Sequence, residues 1–203
     1  MKFRIIAWFL LLAVMVSGVY LAETLMQQKQ LAEKTIRLHV VANSDTEEDQ
    51  AQKLRVRDAV LETVQSLTEQ CTDAQSAWQE LQAHLPQIAG SAKAVLLAEQ
   101  SDRTVEVSLT TEKFDTRHYD TFTLPAGEYP ALRIKIGEAQ GKNWWCVVFP
   151  ALCTAASTDA LEQCAEVGGY DAAETQWITG GEEEYHLRFK VLEWFQKLSD
   201  WLA

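Results

Sequence analysis

The chain has no phosphate-binding loop, no GxSxG elbow, no HExxH helix and no dinucleotide fingerprint, so the short patterns that announce common catalytic chemistries are missing. It also lacks internal repeats and low-complexity linkers. Basic residues are few, 18 Lys and Arg against 29 Asp and Glu, for a formal charge of -11. Two of the bases, Lys2 and Arg4, stand at the N-terminus, where no acid occurs before Glu23, so the remainder is more acidic still. Such a surface repels nucleic acid and gains nothing from anionic lipid head groups. The histidines, His39, His84, His118 and His186, are scattered and no cysteines stand at the close spacing zinc prefers, so no metal and no cofactor is expected. With 47% hydrophobic and 23% charged residues, 203 positions allow one globular domain plus a targeting segment.

What is present begins with an uncharged run from Ile5 to Ala22, IIAWFLLLAVMVSGVYLA, behind Lys2 and Arg4. A basic start followed by an apolar stretch is the arrangement of an export signal. Val16 and Gly18 offer a small-residue cleavage site, whereas cutting after Ala22 sets bulky Tyr20 three positions before the cut. The run is also long enough to span a bilayer as a helix, so residues 1–22 read as a signal peptide or as an uncleaved anchor. Residues 23–34 read as a polar helical linker and 35–203 as one domain. Any membrane contact is expected through the N-terminal segment only.

Cys71, Cys146, Cys153 and Cys164 all lie beyond the leader, where an oxidising compartment permits two bridges in three connectivities. Cys146 and Cys153 bracket Pro150 in CVVFPALC and are the first candidate disulfide, with unpaired thiols as the alternative.

Ile36, Leu38, Val40 and Ala42 share one face of an expected strand, and Arg37, His39 and Val41 the other. Ser44 offers an N-cap with Glu47 three residues on, predicting a helix to about Leu67. Its apolar arc of Leu54, Val60, Leu61, Val64 and Leu67 also takes in Lys53 and Arg57, as snorkelling side chains, as an internal ion pair with an acid such as Asp45, or as a partner-binding cation. A second helix is expected from Asp73 to Leu85, and a third from Pro86 to about Ala98. Alternation over 104–110, 119–124 and 132–136, then an apolar aromatic run over 144–149, predicts a sheet. The loop GEAQGKN, with Gly137 and Gly141, predicts a hairpin joining the last two strands as antiparallel neighbours. Gly168, Gly169, Gly180 and Gly181 predict a looser connection. Leu187, Val191, Phe195, Leu198 and Leu202 recur at helical spacing, flanked by Trp194 and Trp201, and predict a C-terminal amphipathic helix packed on the core. Its polar face, Glu193 and Asp200 beside Lys190 and Lys197, offers weak support for lipid binding. The expected class is α+β: a signal or anchor helix, a helical first half, a mainly antiparallel sheet in the second half and the C-terminal helix.

The raw material for catalysis is His39 with Asn43, Ser44 and Asp45 at a strand end, and separately Asp115, His118 and Asp120. Neither set is a motif. An exported cell-envelope hydrolase built on one of these histidines is the alternative to a binding protein, and a structural anchor is a third reading.

Two segments, IRLHVVANSDTEEDQAQKLRVRDAVL from Ile36 to Leu61 and PAGEYPALRIKIGEAQGKNWWCVVFPALC from Pro125 to Cys153, resemble the stage II sporulation protein R family. A shorter stretch, LRFKVLEWF from Leu187 to Phe195, and the leader extend the likeness, while Gln70 to Gln100 carries no recognisable family pattern. The resemblance implies a secreted signal of endospore formation. Such a protein is made in the forespore, crosses into the intermembrane space and activates a membrane-bound aspartic protease of the mother cell, the stage II sporulation protein GA type, which processes pro-sigma-E. The chain itself has no DTG or DSG and is expected not to be an enzyme. Positions matching the family pattern are Arg37, His39, Asn43, Ser44, Asp45, Arg57, Glu128, Tyr129, Asn143, Trp144, Trp145, Cys146 and Cys153. They are the candidates for receptor contact. Adjacent tryptophans on a strand face opposite ways, so one of Trp144 and Trp145 is expected in the core and the other exposed.

Overall fold

A strand buried along its whole length needs neighbours on both edges and cover on both faces, and β1 (Ile36–Val41) has all four. The computed structural model describes residues 2–154, 157–180 and 182–202, with side chains except those of 2–4, 154, 158, 182–188 and 199–200. Gly181, and the side chains of Lys2, Arg4, His186, Leu187 and Asp200, therefore lie outside the described residues. On one edge β1 pairs in parallel with β5 (Gly127–Ile136), and on the other it pairs antiparallel with β6 (Asn143–Phe149). β2 (Val105–Phe114) lies antiparallel on the far side of β5, giving the order β2-β5-β1-β6. A separate two-stranded ribbon joins β3 (Arg117–His118) to β4 (Thr123–Leu124).

One face of the sheet is apolar and lies under α2 (Glu47–Thr68), α3 (Ala74–Ala83) and α4 (Leu85–Ala98). Ile36, Leu38 and Val40 meet Val56, Val60, Leu81, Ile88 and Leu96 there. The other face is covered in part by the end of α1 (Lys2–Glu33), by β3 and β4, and by α5 (Thr158–Val167), α6 (Ala172–Thr179) and α7 (Glu182–Leu202). Thus the class is α+β as expected, with a helical first half, a sheet drawn mostly from the second, and helices at both ends.

The two-strand hairpin expected at GEAQGKN does not form, because β1 is inserted between β5 and β6. The loop instead crosses over the end of β1 and is sewn to it. Gln140 N–H donates to Asn43 O (3.1 Å), Gly141 N–H to Ala42 O (3.0 Å), Glu138 N–H to Asn43 Oδ1 (3.0 Å) and Lys142 N–H to Asp45 Oδ1 (2.6 Å). Gly137 takes φ +56°, and a Cβ at Gly141 would sit 2.2 Å from the Ser44 carbonyl, so both glycines serve this crossing.

The helix N-cap is Thr46 rather than Ser44, and Thr46 Oγ1 accepts from Asp49 N–H (3.3 Å). Ser44 is drawn off by a stronger acceptor, donating to Asp49 Oδ2 at 2.5 Å. Asp49, Gln52, Lys53, Val56, Val60, Val64 and Thr68 form the buried stripe of α2, whereas Leu54, expected in the apolar arc, is exposed. The glycine-marked region after Cys153 is not a loose connection: Ser157 caps α5, and Asp171 with Glu174 forms a complete capping box on α6. Among the described side chains of α7, Phe189 and Leu192 are buried, off the expected stripe, and Trp194, Phe195, Trp201 and Leu202 are exposed.

α1 runs without a break from the leader into the domain. Its apolar first part is exposed and is the one described helix long and apolar enough to cross a membrane. Within the span read as a linker, Thr24, Leu31 and Ala32 are buried against the domain.

Candidate binding groove

β6 is an edge strand, so its side chains alternate across a border that nothing else in the sheet covers. A groove of about 610 Å³ follows this border, and it takes Trp144 and Cys146 from one face and Trp145 from the other. α2 supplies Arg57, Asp58 and Leu61 as one wall, the segment 118–122 supplies a second, and Leu152 with Cys153 closes one end. The Arg57 guanidinium lies over the Trp144 ring at 4.3 Å and pairs with Asp58 at 2.6 Å. Arg57 is therefore the groove-facing cation of the two that share the α2 arc. Lys53 is the internal one, donating to Gln50 Oε1 (2.7 Å) and Lys142 O (3.0 Å). Burial holds the Lys53 ammonium below the usual lysine range, with Asp45 acting the other way.

Trp144 is 37% exposed, and Trp145 turns to the opposite face, stacking on His39 with centroids 3.8 Å apart and meeting Phe114 edge-on at 5.0 Å. His39 is buried by this stack. Its Nδ1 donates to Glu112 Oε2 (2.7 Å), its Nε2 lies 3.0 Å from Asn143 Oδ1, and Arg133 stands 3.4 Å from the other Glu112 oxygen. Every polar atom of the ring is engaged. Beside it Arg37 is 0% exposed, with its guanidinium 4.0 Å from the Phe114 centroid and 5.0 Å from that of Tyr129. It donates to Tyr119 Oη at 2.8 Å, and its Nε and Nη1 have no partner among the described residues. Burial pushes the Tyr119 hydroxyl up to about 12, against the pull of Arg37, so it stays protonated.

All four cysteines are free thiols. The candidate pair flanks one peptide unit: Val147 N–H donates to Cys153 Sγ at 3.1 Å, and Cys146 Sγ lies 3.9 Å from Val147 O. A hydrogen bond with Cys153 holds the Cys146 thiol below its usual range against burial, helped by the Val147 backbone and the charges of Arg57 and Arg37. The same bond and burial push Cys153 far up.

The expected site residues thus divide. Arg57, Trp144, Trp145, Cys146 and Cys153 converge on the groove, and Arg37 and His39 sit behind it in the sheet. Asn143, exposed at the start of β6, reaches His39. Asn43, Ser44 and Asp45 hold the crossing loop and the start of α2, Asn43 donating to Asp49 Oδ2 at 2.8 Å. Among the described residues no hydrogen bond joins any of the three to His39, Glu112 or Asn143. Tyr129 is wholly buried and donates to Pro125 O (2.8 Å), while its neighbour Glu128 is exposed on β5. In the second catalytic set, His118 and Asp120 both border the groove, and His118 Nδ1 meets Thr123 Oγ1 at 3.1 Å. No cluster of three or more metal-ligating side chains occurs among the described residues. Sequence reasoning missed Glu112, Phe114 and Tyr119. Glu112 and Phe114 alternate on one face of β2, a visible signal, but only the strand register brings them to His39 and Arg37.

These features define a small α+β domain carried on an apolar N-terminal helix of signal or anchor type, with its distinctive residues gathered at an open sheet edge. The family model for stage II sporulation protein R matches residues 32–159. Stage II sporulation protein R of Bacillus subtilis (strain 168) is 34% identical over 149 residues, covering 71% of this chain and 66% of that protein, just under two thirds of its length. The chain belongs to the stage II sporulation protein R family. The family match runs through 70–100, where no motif stands out, and ends before LRFKVLEWF. No solved structure matches the chain.

Proposed function

We propose that this chain is an intercompartmental signal of endospore formation, exported from the forespore, that activates the mother-cell membrane aspartic protease processing pro-sigma-E. Family membership supports a sporulation role, and one observation carries the recognition part: the family-pattern residues Arg57, Trp144, Trp145, Cys146 and Cys153 line one groove. A half-exposed tryptophan braced by an arginine, beside an apolar recess, is the composition of a contact hot spot. An activator of this kind acts by binding the active receptor state more tightly than the inactive one, so that binding free energy moves the equilibrium toward cleavage. The apolar helix supports export or anchoring at the compartment where such a receptor is reached. Against a hydrolase, His39 is buried with both ring nitrogens occupied and has no free lone pair to offer a substrate.

The test is to produce the receptor protease and pro-sigma-E in a non-sporulating host, with and without this chain. Cleavage that needs the chain, and needs its leader for export, is the expected result. Cleavage that proceeds equally without it overturns the proposal.

A further inference from the structure

The four cysteines separate into two environments. Cys71 and Cys164 border a groove of about 630 Å³ between α2 and α5, and burial pushes the Cys71 thiol up. Cys146 and Cys153 instead lie together at the floor of the groove along β6. Both sulfurs flank the same peptide unit: Val147 N–H donates to Cys153 Sγ at 3.1 Å, and Cys146 Sγ lies 3.9 Å from Val147 O. The backbone from Phe149 through the 3-10 turn Leu152–Thr154 returns Cys153 to the strand that carries Cys146. Arg57 stands at the groove wall and Arg37 within the sheet, two cations near a sulfur, and no carboxylate answers Arg37 among the described residues.

We propose that Cys146 and Cys153 are a reactive dithiol that exchanges with an external disulfide, of a small thiol compound or of a dithiol oxidase, and closes to an intramolecular bridge on the groove floor. In the first step the Cys146 thiolate attacks one sulfur of the external disulfide. That bond breaks, its second sulfur leaves as a thiolate and takes a proton from solvent, and a mixed disulfide stands on Cys146. Cys153 then gives up its proton to solvent and attacks the Cys146 sulfur, expelling the first external sulfur as a thiolate. The chain has lost two hydrogens and two electrons, and the external disulfide has become two thiols. Cys146 is the attacking residue: it lines the groove with Arg57 on the facing wall, and the charges of Arg57 and Arg37 favour its thiolate. The proposal stands on the geometry of β6 and the following turn, independently of the signalling role.

The experiment treats the full-length chain, purified in detergent, with glutathione disulfide. Free thiols are then alkylated with one reagent and, after reduction, newly released thiols with a second. The expected product has lost the mass of two hydrogens and carries the second label on Cys146 and Cys153 only. Cys71 is expected to react on the order of ten-fold more slowly than Cys146. In Cys153→Ala the exchange stops halfway, leaving one glutathionyl group on Cys146. A bridge joining any other pair, or full first-reagent labelling of Cys146 and Cys153 in oxidised wild-type chain, overturns the proposal. Because the wild-type readout stands alone, a poorly folding variant does not blunt the test.

Discussion

The two faces of the central sheet are made on opposite principles. Toward α2, α3 and α4 the strands present aliphatic side chains that interlock with other aliphatics, and little but packing operates there. On the other face the same strands present Arg37, His39, Glu112 and Arg133 among Phe114, Tyr129 and Trp145. The first face is held by packing. The second holds a cation with no carboxylate partner among the described residues and a histidine locked in place, costs that packing alone does not explain, and it lies directly behind the groove that gathers the family-pattern residues.

Truncation on the packed face sets the upper end of the contrast. Leu38→Ala is expected to lower unfolding free energy by about 2–5 kcal/mol, read from denaturant titration, since Leu38 is fully buried between strands and helices. Nearly as large, but in a different readout, is Trp144→Ala. It is expected to cost about 2 kcal/mol of receptor binding, roughly a 30-fold loss in protease activation, with a melting temperature close to wild type. If stability and activation fall together, the groove belongs to the packed part of the molecule and the contrast fails.

Asp49→Asn probes the crossing loop through pH. Burial alone would raise the Asp49 carboxyl, but hydrogen bonds from Ser44 and Asn43 and the charge of Arg103, 2.5 Å away, outweigh it and hold the group below the usual carboxylate value. A depressed folded-state pKa gives stability that is full above the unfolded value of about 4 and is lost as pH falls through the lower folded one. Wild-type stability should therefore decline below about pH 4, and the Asp49→Asn profile should be flatter in that window. Smallest of all is Arg37→Met. An uncompensated buried guanidinium replaced by an apolar chain of similar length should leave the melting temperature unchanged or slightly raised, and a large drop would show that its aromatic contacts and the Tyr119 bond outweigh the burial of charge.

Local pattern made much of the fold legible. The alternation of β1, the length of α2 and Pro86 at the start of α4 all follow from near neighbours in sequence. Strand order did not, because the pairing of β1 with both β5 and β6 is a contact across about a hundred residues, and Gly137 and Gly141 suit a crossing loop as well as a hairpin. α5 and α6 were hidden by their glycines, although Ser157 and the Asp171–Glu174 box carried the start signals. At the groove, Arg57 stood out as a cation in an apolar arc and Trp144 and Trp145 by their rarity. The alternation places Arg37 on one strand face with His39 but says nothing of what covers that face, and Arg37 is wholly buried there.

The unbroken α1 has a mechanical consequence. A helix has no swivel, so the domain cannot tumble about its leader as it would on a flexible tether. From Ala22 to Leu31 the axis advances about 14 Å, which with an intact leader sets the stand-off between bilayer and sheet and fixes which way the β6 edge faces. Where the cut falls near Gly18, the remaining turns stay docked through Leu25, Leu31 and Ala32, and the domain is released whole, its floor still in place. Retained or removed, the leader changes how far and in what orientation the domain can reach, without altering what it presents.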